Sequence, residues 1–133
     1  MARDDQDPIF SYDIPVRWGD MDAFGHVNNT LYLRYCEEVR FQLLTAKGIQ
    51  ISPASYPVVV TVGCTFYAPV FHPDTLRIDC YLSEPGRSSF LIEFDIFSEK
   101  APGKPVARAH SKVVWVDAEG KSQALPDAVR AWF

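Results

Sequence analysis

The chain is organised around residues 18–29, which read WGDMDAFGHVNN. Short polar side chains and glycine tolerate bends that other residues resist, so Asp20, Asp22 and Gly25 favour an irregular turn. His26 adds an imidazole ring to the same segment. The stretch therefore predicts an acidic turn that carries two carboxylates and a histidine.

A long helix is predicted directly after this turn, over residues 29–47. Asn28 is a suitable N-cap, because its side chain can accept from an unpaired backbone N–H, and Gly48 is a suitable C-terminal stop. Apolar residues occur nearly all round the helix, which predicts burial on most of its sides. At 1.5 Å per residue the helix would extend roughly 28 Å, enough to cross a small domain. The acidic turn would then lie at a helix N-terminus, where free amides and the helix dipole attract negative charge.

The rest of the sequence is rich in strand patterns. Pro15 predicts that the first strand lies at a sheet edge, and Gly63 predicts a bulge or a close approach. A short C-terminal helix is predicted over residues 126–132, with proline in its first turn. The order β-α-β-β-β-β indicates an α+β fold, in which a five-stranded antiparallel sheet wraps around one helix. Strands are predicted over residues 9–18, 58–71, 76–82, 90–97 and 106–116.

Length and composition narrow the possible functions. The 133 residues and 47% apolar content predict one globular domain over residues 1–133, with residues 1–8 as a flexible tail. A net charge of −4 argues against a general nucleic-acid binder. The apolar runs are shorter than the ~20 residues of a membrane span, and the N-terminal residues do not resemble a signal peptide.

Three cysteines, Cys36, Cys64 and Cys80, each lie in an apolar run. Their number is odd and their spacing fits neither a disulfide framework nor a zinc site. We expect buried, unreactive thiols and a cytoplasmic location. His72 and His110 are too scattered to suggest a metal site, so no metal is expected.

The segment DMDAFGHVNN, followed by LYLRYCEEVR, resembles the acyl-CoA thioesterases of the 4-hydroxybenzoyl-CoA thioesterase type. The likeness extends over residues 12–126 and is most specific over residues 20–29. It implies a single-domain hot-dog fold and hydrolysis of an acyl-CoA to a carboxylic acid and CoA. It implies no cofactor, because CoA is part of the substrate.

The resemblance also implies roles for individual residues. The family's catalytic carboxylate matches Asp22, as nucleophile or as general base, and its carbonyl-polarising amide matches the backbone N–H of Asn29. His26 would orient water or Asp22, or bond only to a backbone carbonyl. Gly25 and the turn residues Arg87, Ser88 and Ser89 would contact the substrate. Within that turn, Arg87 would bind a CoA phosphate, and Ser88 replaces a more basic residue of the aromatic-CoA branch.

Several alternatives remain open from the sequence. A hot-dog enoyl-CoA hydratase also places an aspartate and a histidine at a turn, but with an Asn-Pro pair that this chain lacks between Asp20 and His26. A non-catalytic acyl-CoA or acyl-carrier binding protein would not require the full acidic turn. Phe24, Tyr32 and Tyr56 are candidates to line an acyl pocket, and the acyl group stays open.

Self-association as a homodimer or tetramer is also predicted. Val59, Tyr67, Leu91 and Phe97 would make the outer face of the sheet apolar, as at a subunit interface. Glu37 would either pair with Arg40 on the helix surface or face the pocket of a neighbouring subunit.

Overall fold

Five strands form an antiparallel sheet in the computed structural model, which describes residues 6–133. Helix α1 spans Asn29–Ala46, and a short helix α2 spans Asp127–Arg130. The predicted tail, residues 1–8, lies largely outside the described residues. The strands are β1 (Phe10–Pro15), β2 (Tyr56–Phe66), β3 (Thr75–Ser83), β4 (Ser89–Ser98) and β5 (Ala107–Val116).

The strand order explains why the connecting helix must be long. The sheet runs β1-β3-β4-β5-β2, so β1 and β2 are its opposite edges. The link between them has to cross four strand spacings, roughly 19 Å at ~4.8 Å each. Helix α1 has 18 residues, or about 27 Å at 1.5 Å per residue, and it contacts β1, β2 and β5. The helix therefore lies across one face of the sheet, which confirms the predicted hot-dog architecture.

The hydrophobic core lies between that sheet face and α1. Alternate residues of β3 and β4 point towards the helix, as the sequence pattern predicts. Residues of α1 spaced three and four apart complete the core from the other side. Its large buried members include Trp115, Phe90, Phe94, Leu43, Leu76, Ile78, Ile92 and Ile96.

Several predicted strand boundaries are wrong. Strand β1 ends at Pro15, and Trp18 follows in a 3-10 turn with 75% of its surface exposed, so it does not share a buried face with Ile14. Strand β2 ends at Phe66, after which the N–H groups of Tyr67 and Ala68 both donate to the carbonyl of Val106. Apolar residues continue past the end of both strands, and an apolar pattern does not distinguish a strand from an extended loop, so the sequence did not reveal these ends.

The irregularity in β2 lies at Val60 and not at Gly63. The pairing of β2 with β5 changes register between Val59 and Thr61, which leaves Val60 as the extra residue. Gly63 is instead a point of close approach, because a Cβ there would lie 2.3 Å from Cε1 of His110. Of the two interpretations of Gly63 offered by the sequence, only the close approach is confirmed.

The outer sheet face is apolar only in part. Val59 packs against the core, and Leu91 and Phe97 are half-buried. Between them Asp79 and Asp95 face each other across β3 and β4, and each is paired with an arginine. Half of the large exposed apolar side chains among residues 6–133 lie on β2 or directly after it: Val60, Val62, Phe66, Tyr67 and Phe71. Phe41 is exposed on α1, so one side of that helix is not covered.

All three cysteines are free thiols, as predicted. Cys36 and Cys80 are buried and Cys64 is half-buried. Burial raises the pKa of Cys64 to about 11, and burial together with Asp79 raises the pKa of Cys80 to about 12. Burial also raises the pKa of Cys36. These thiols therefore stay protonated at neutral pH and are poor nucleophiles.

Among residues 6–133, no helix combines the length and apolar character needed to cross a membrane.

Candidate active site

Hydrogen bonds within the acidic turn hold Asp22 opposite His26. The backbone N–H of Asp22 donates to the carbonyl of His26 at 2.9 Å, and the N–H of Gly25 donates to the carbonyl of Asp22 at 3.0 Å. Gly25 has a φ of +85°, a conformation that favours glycine. The Asp22 carboxylate accepts from the N–H of Phe24 through one oxygen, at 2.9 Å. The other oxygen of this half-buried carboxylate is thus left for a further partner.

Asp20 has a different role from Asp22, because it anchors the turn. Its carboxylate is buried and accepts from the hydroxyl of Tyr35 at 2.7 Å and from the N–H of Arg17 at 3.0 Å. The Arg17 guanidinium lies 3.2 Å from its other oxygen. Burial alone would raise the pKa of Asp20, but the hydrogen bonds from Arg17 and Tyr35 and the guanidinium charge together hold it below its usual value. Asp20 is therefore an ionised structural residue, consistent with the prediction that it shapes the turn.

The helix begins where the sequence predicts. Asn28 is the N-cap, and its side-chain oxygen accepts from the N–H of Thr30 at 2.9 Å. The N–H of Val27 donates to the carbonyl of Val70, which fixes the start of the helix against the chain beyond β2. The N–H of Asn29, in the first turn, donates to no group among residues 6–133. It is a free donor at the positive end of the helix dipole.

A pocket of about 250 Å³ opens at this helix terminus. Asn29, Tyr32 and His26 form one wall, and the segment that follows β2 forms the other. The pocket thus places a free backbone amide and an imidazole beside an aromatic surface. Asp22 is adjacent through its bond to His26 but is not one of the lining residues. The remaining lining residues are Val27, Phe66, Tyr67, Ala68 and Pro69.

The histidine of the turn is held by aromatic neighbours. Its ring stacks on Phe24 and meets Phe71 edge-on, with centroid distances of 6.4 and 6.3 Å. Its Nδ1 lies 3.3 Å from the carbonyl of Val27. When Nδ1 carries the proton for that bond, Nε2 is free to accept a hydrogen bond from water or substrate.

The predicted substrate turn lies at the other end of the sheet. Residues 84–88 connect the end of β3 to the start of β4, whereas the acidic turn adjoins the start of β3. The nine residues of β3 separate the two ends by roughly 26 Å at ~3.3 Å per residue. Arg130 fixes this turn by donating to the carbonyls of Gly86 and Arg87, both at 2.9 Å, and the side chain of Arg87 is exposed. One chain therefore does not bring Arg87, Ser88 and Ser89 to the pocket that contains Asn29.

Of the two roles left open for Glu37, the pairing with Arg40 is wrong. Glu37 forms its ion pair with Arg34, at 2.7 Å. Arg40 is half-buried on the side of α1 that faces β2, and burial lowers its pKa. Glu37 also lines a second pocket, of about 280 Å³, between α1 and β2.

Residues 16–133 match the model of a protein family described as the thioesterase-like superfamily. The chain belongs to this superfamily. The match covers both the acidic turn and the turn at residues 84–88, and it confirms the predicted family and the predicted enzyme class, a thioester hydrolase.

Individual relatives within the superfamily differ in the substrates that their names give. The chain is 28% identical over 126 residues to an acyl-acyl carrier protein thioesterase of Arabidopsis thaliana, covering 91% of this chain and 65% of that protein. It is 30% identical over 129 residues to a 1,4-dihydroxy-2-naphthoyl-CoA hydrolase of Nostoc punctiforme, covering 92% and 85%. Among solved structures, PA2801 of Pseudomonas aeruginosa superposes with a TM-score of 0.89 at 40% identity, covering 94% of this chain and 98% of that one.

Sequence reasoning missed the second wall of the pocket at the helix N-terminus. Residues 66–69 lie about 40 positions from the acidic turn, and nothing in their spacing connects them to it. Of the three aromatic residues suggested for an acyl pocket, only Tyr32 is a lining residue. Phe24 is exposed and stacks on His26, and Tyr56 begins β2 at the opposite end of the sheet.

Proposed function

We propose that this protein hydrolyses an acyl-CoA thioester to the carboxylic acid and free CoA. One observation carries the proposal: the unpartnered N–H of Asn29 belongs to a residue that lines the pocket beside the acidic turn. A thioesterase needs a donor at the position where negative charge develops on the carbonyl oxygen. A first-turn helix amide meets this need without reorganisation, because it is already oriented and already unpaired.

The Asn29 amide would act on the thioester carbonyl oxygen. Its N–H donates to that oxygen, and the bond strengthens as the tetrahedral intermediate becomes an oxyanion. One such donor contributes about 3 kcal/mol to stabilisation of the transition state. The dipole of α1 adds to this effect, because its positive end lies at the same position.

The carboxylate of Asp22 would act as a general base. It takes a proton from water as the water oxygen bonds to the carbonyl carbon. The carbon–sulfur bond then breaks, and the proton held by Asp22 passes to the departing CoA thiolate, which restores the carboxylate. The free Nε2 of His26 would hold that water, which favours this route over direct attack by Asp22. In the direct route, an anhydride forms between Asp22 and the acyl group, and water then cleaves it.

The active enzyme would be a homodimer or a dimer of dimers. Arg87, Ser88 and Ser89 lie at the opposite end of the sheet from the acidic turn of their own chain, and β3 extends roughly 26 Å between the two ends, so we expect a substrate that contacts both regions to span two subunits. Strand β2 supplies a candidate contact, because it is an 11-residue edge strand with exposed Val60 and Val62. Long apolar edge strands tend to pair with another chain. Arg87 of one subunit would then bind a CoA phosphate near the Asn29 of another.

A thiol-release assay tests the proposed activity. Purified protein is given acyl-CoAs from short to long chain together with benzoyl and hydroxybenzoyl thioesters, and released thiol is followed spectrophotometrically. The same acyl groups on acyl carrier protein form a second series, because one relative is named for that carrier. Turnover of CoA thioesters supports the proposal. Turnover of the carrier-bound series alone would contradict it and would indicate that the substrate is an acyl-acyl carrier protein.

Two further outcomes of that assay would contradict hydrolysis. Binding of acyl-CoA without thiol release would indicate a non-catalytic binding protein. Hydration of an enoyl-CoA, seen as loss of its conjugated absorbance with the thioester intact, would indicate a hydratase.

A further inference from the structure

Tyr32 combines almost complete burial with an unsatisfied hydroxyl group. Only 2% of its surface is exposed, and its hydroxyl has no hydrogen-bond partner among residues 6–133. Every fully buried side-chain nitrogen or oxygen in that range does have a partner. The hydroxyl of Tyr32 therefore keeps part of this small exposed surface, and Tyr32 is a lining residue of the pocket at the helix N-terminus.

The ring of Tyr32 is fixed in this orientation by its neighbours. It meets the ring of Phe66 edge-on at a centroid distance of 4.9 Å and that of Tyr35 at 6.3 Å. Helical side chains lean towards the N-terminus of their helix, so the Tyr32 ring extends back over the first turn of α1. Residues three apart share a helix face, which puts Tyr32 on the same side as Asn29.

We propose that the Tyr32 hydroxyl is a second donor to the thioester carbonyl oxygen, together with the backbone N–H of Asn29. This inference rests on the proposed thioester hydrolysis and adds a side-chain donor to it. Burial, and then the neighbouring Cys64, raise the pKa of Tyr32 to about 12, so the hydroxyl keeps its proton over the working pH range. A closed pocket with substrate bound would leave this hydroxyl unpaired unless the substrate accepts from it, and an unpaired buried donor is costly.

The substitution Tyr32→Phe tests this role by deleting a single oxygen. The edge-on packing on Phe66 is retained and no hydrogen bond among residues 6–133 is lost, so folding and the melting temperature should not change. We expect kcat to fall about 100-fold with little change in KM, because the lost bond strengthens only in the transition state. The factor should be the same for every acyl group that the enzyme accepts. The pH profile of kcat should keep its shape.

Tyr12→Phe is the matched control, because it deletes the hydroxyl of a half-buried tyrosine on β1 that does not line the pocket. If the wild type is active and Tyr32→Phe has the same kcat, the second-donor role is contradicted. The proposed hydrolysis is not affected by that result. A loss confined to KM and to acyl groups that carry a polar substituent would also overturn the second-donor role, since the hydroxyl would then bind the acyl group. A wild type without thiol release on any thioester would instead overturn the proposed function itself.

Discussion

The hydroxyl of Tyr35 donates to Oδ2 of Asp20 at 2.7 Å and so joins helix α1 to the acidic turn. Both side chains are buried, and burial and the bond to Asp20 raise the pKa of Tyr35. The turn that presents Asp22 is therefore attached to the helix that presents Asn29. The two groups that we propose for hydrolysis are held together by this bond.

Breaking this bond should destabilise the fold. Tyr35→Phe leaves a buried carboxylate without one of its donors, and we expect a loss of about 1–3 kcal/mol in the free energy of unfolding. Urea denaturation measures this loss at neutral pH. Tyr12→Phe, which breaks no hydrogen bond within the described residues, should be neutral. Equal stability of the two variants would contradict a structural role for the bond.

The contribution of Asp20 to stability should depend on pH in a defined direction. Its pKa in the folded state is below the ordinary value of 3.8, so the unfolded chain binds the proton more readily. The stabilisation is fully present above that value and is lost as the pH falls through the lower folded-state pKa. The stability difference between wild type and Asp20→Asn should therefore be constant from neutral pH to about pH 5 and shrink below about pH 4. A difference that grows on acidification would contradict this assignment.

Self-association should depend on the edge of β2. Val60 is 56% exposed at the bulge of this strand, and a charged side chain on an edge strand opposes pairing with another chain. We expect the wild type to show at least twice the chain mass of 15.0 kDa by light scattering. Val60→Lys should shift it towards the monomer and lower activity, whereas Lys104→Ala, at an exposed turn, should change neither. A wild-type monomer at micromolar concentration would contradict the two-subunit site.

Arg87→Ala should weaken substrate binding without slowing the chemical step. An arginine on a distant phosphate binds ground state and transition state equally, so its loss raises KM and leaves kcat nearly unchanged. The backbone of the turn should keep its position, because Arg130 holds the carbonyls there. Lys104→Ala is the control for the loss of one positive charge. A large decrease in kcat at unchanged KM would contradict the role of Arg87 in binding a CoA phosphate.

The features that the sequence predicted well are local. The cap at Asn28, the start of α1 at Asn29 and the alternation in β3 and β4 depend on near neighbours, and all agree with the structure. The thioesterase family was identified from two nearby segments, residues 20–29 and 31–40, of which the first is the more specific.

The features that the sequence missed depend on distant parts of the chain. The second pocket wall, at residues 66–69, meets the acidic turn only because β2 lies at the edge beside the helix N-terminus. The exposure of Trp18 and the facing of Asp79 and Asp95 on the outer sheet face also depend on residues that are distant in the sequence. The apolar or charged character of a strand residue does not determine which other residues will pack against it.

Isotope labelling distinguishes the two possible roles of Asp22, general base and nucleophile. In oxygen-18 water under single-turnover conditions, an anhydride intermediate can leave label in the Asp22 carboxylate. General-base catalysis puts the label only in the released acid, which is the result that we expect. Mass spectrometry of the peptide that contains Asp22 distinguishes the two.

The most direct test of the account is kcat for Asp22→Asn on the best acyl-CoA substrate. The asparagine keeps the side-chain oxygen that accepts from Phe24, so the variant should melt like the wild type. Loss of the charge should reduce kcat by at least ~100-fold, the scale of a positioned base or nucleophile. The exposed Asp13→Asn on β1 should retain full activity. A folded Asp22→Asn variant with wild-type kcat would contradict the aspartate mechanism and direct attention to Glu37.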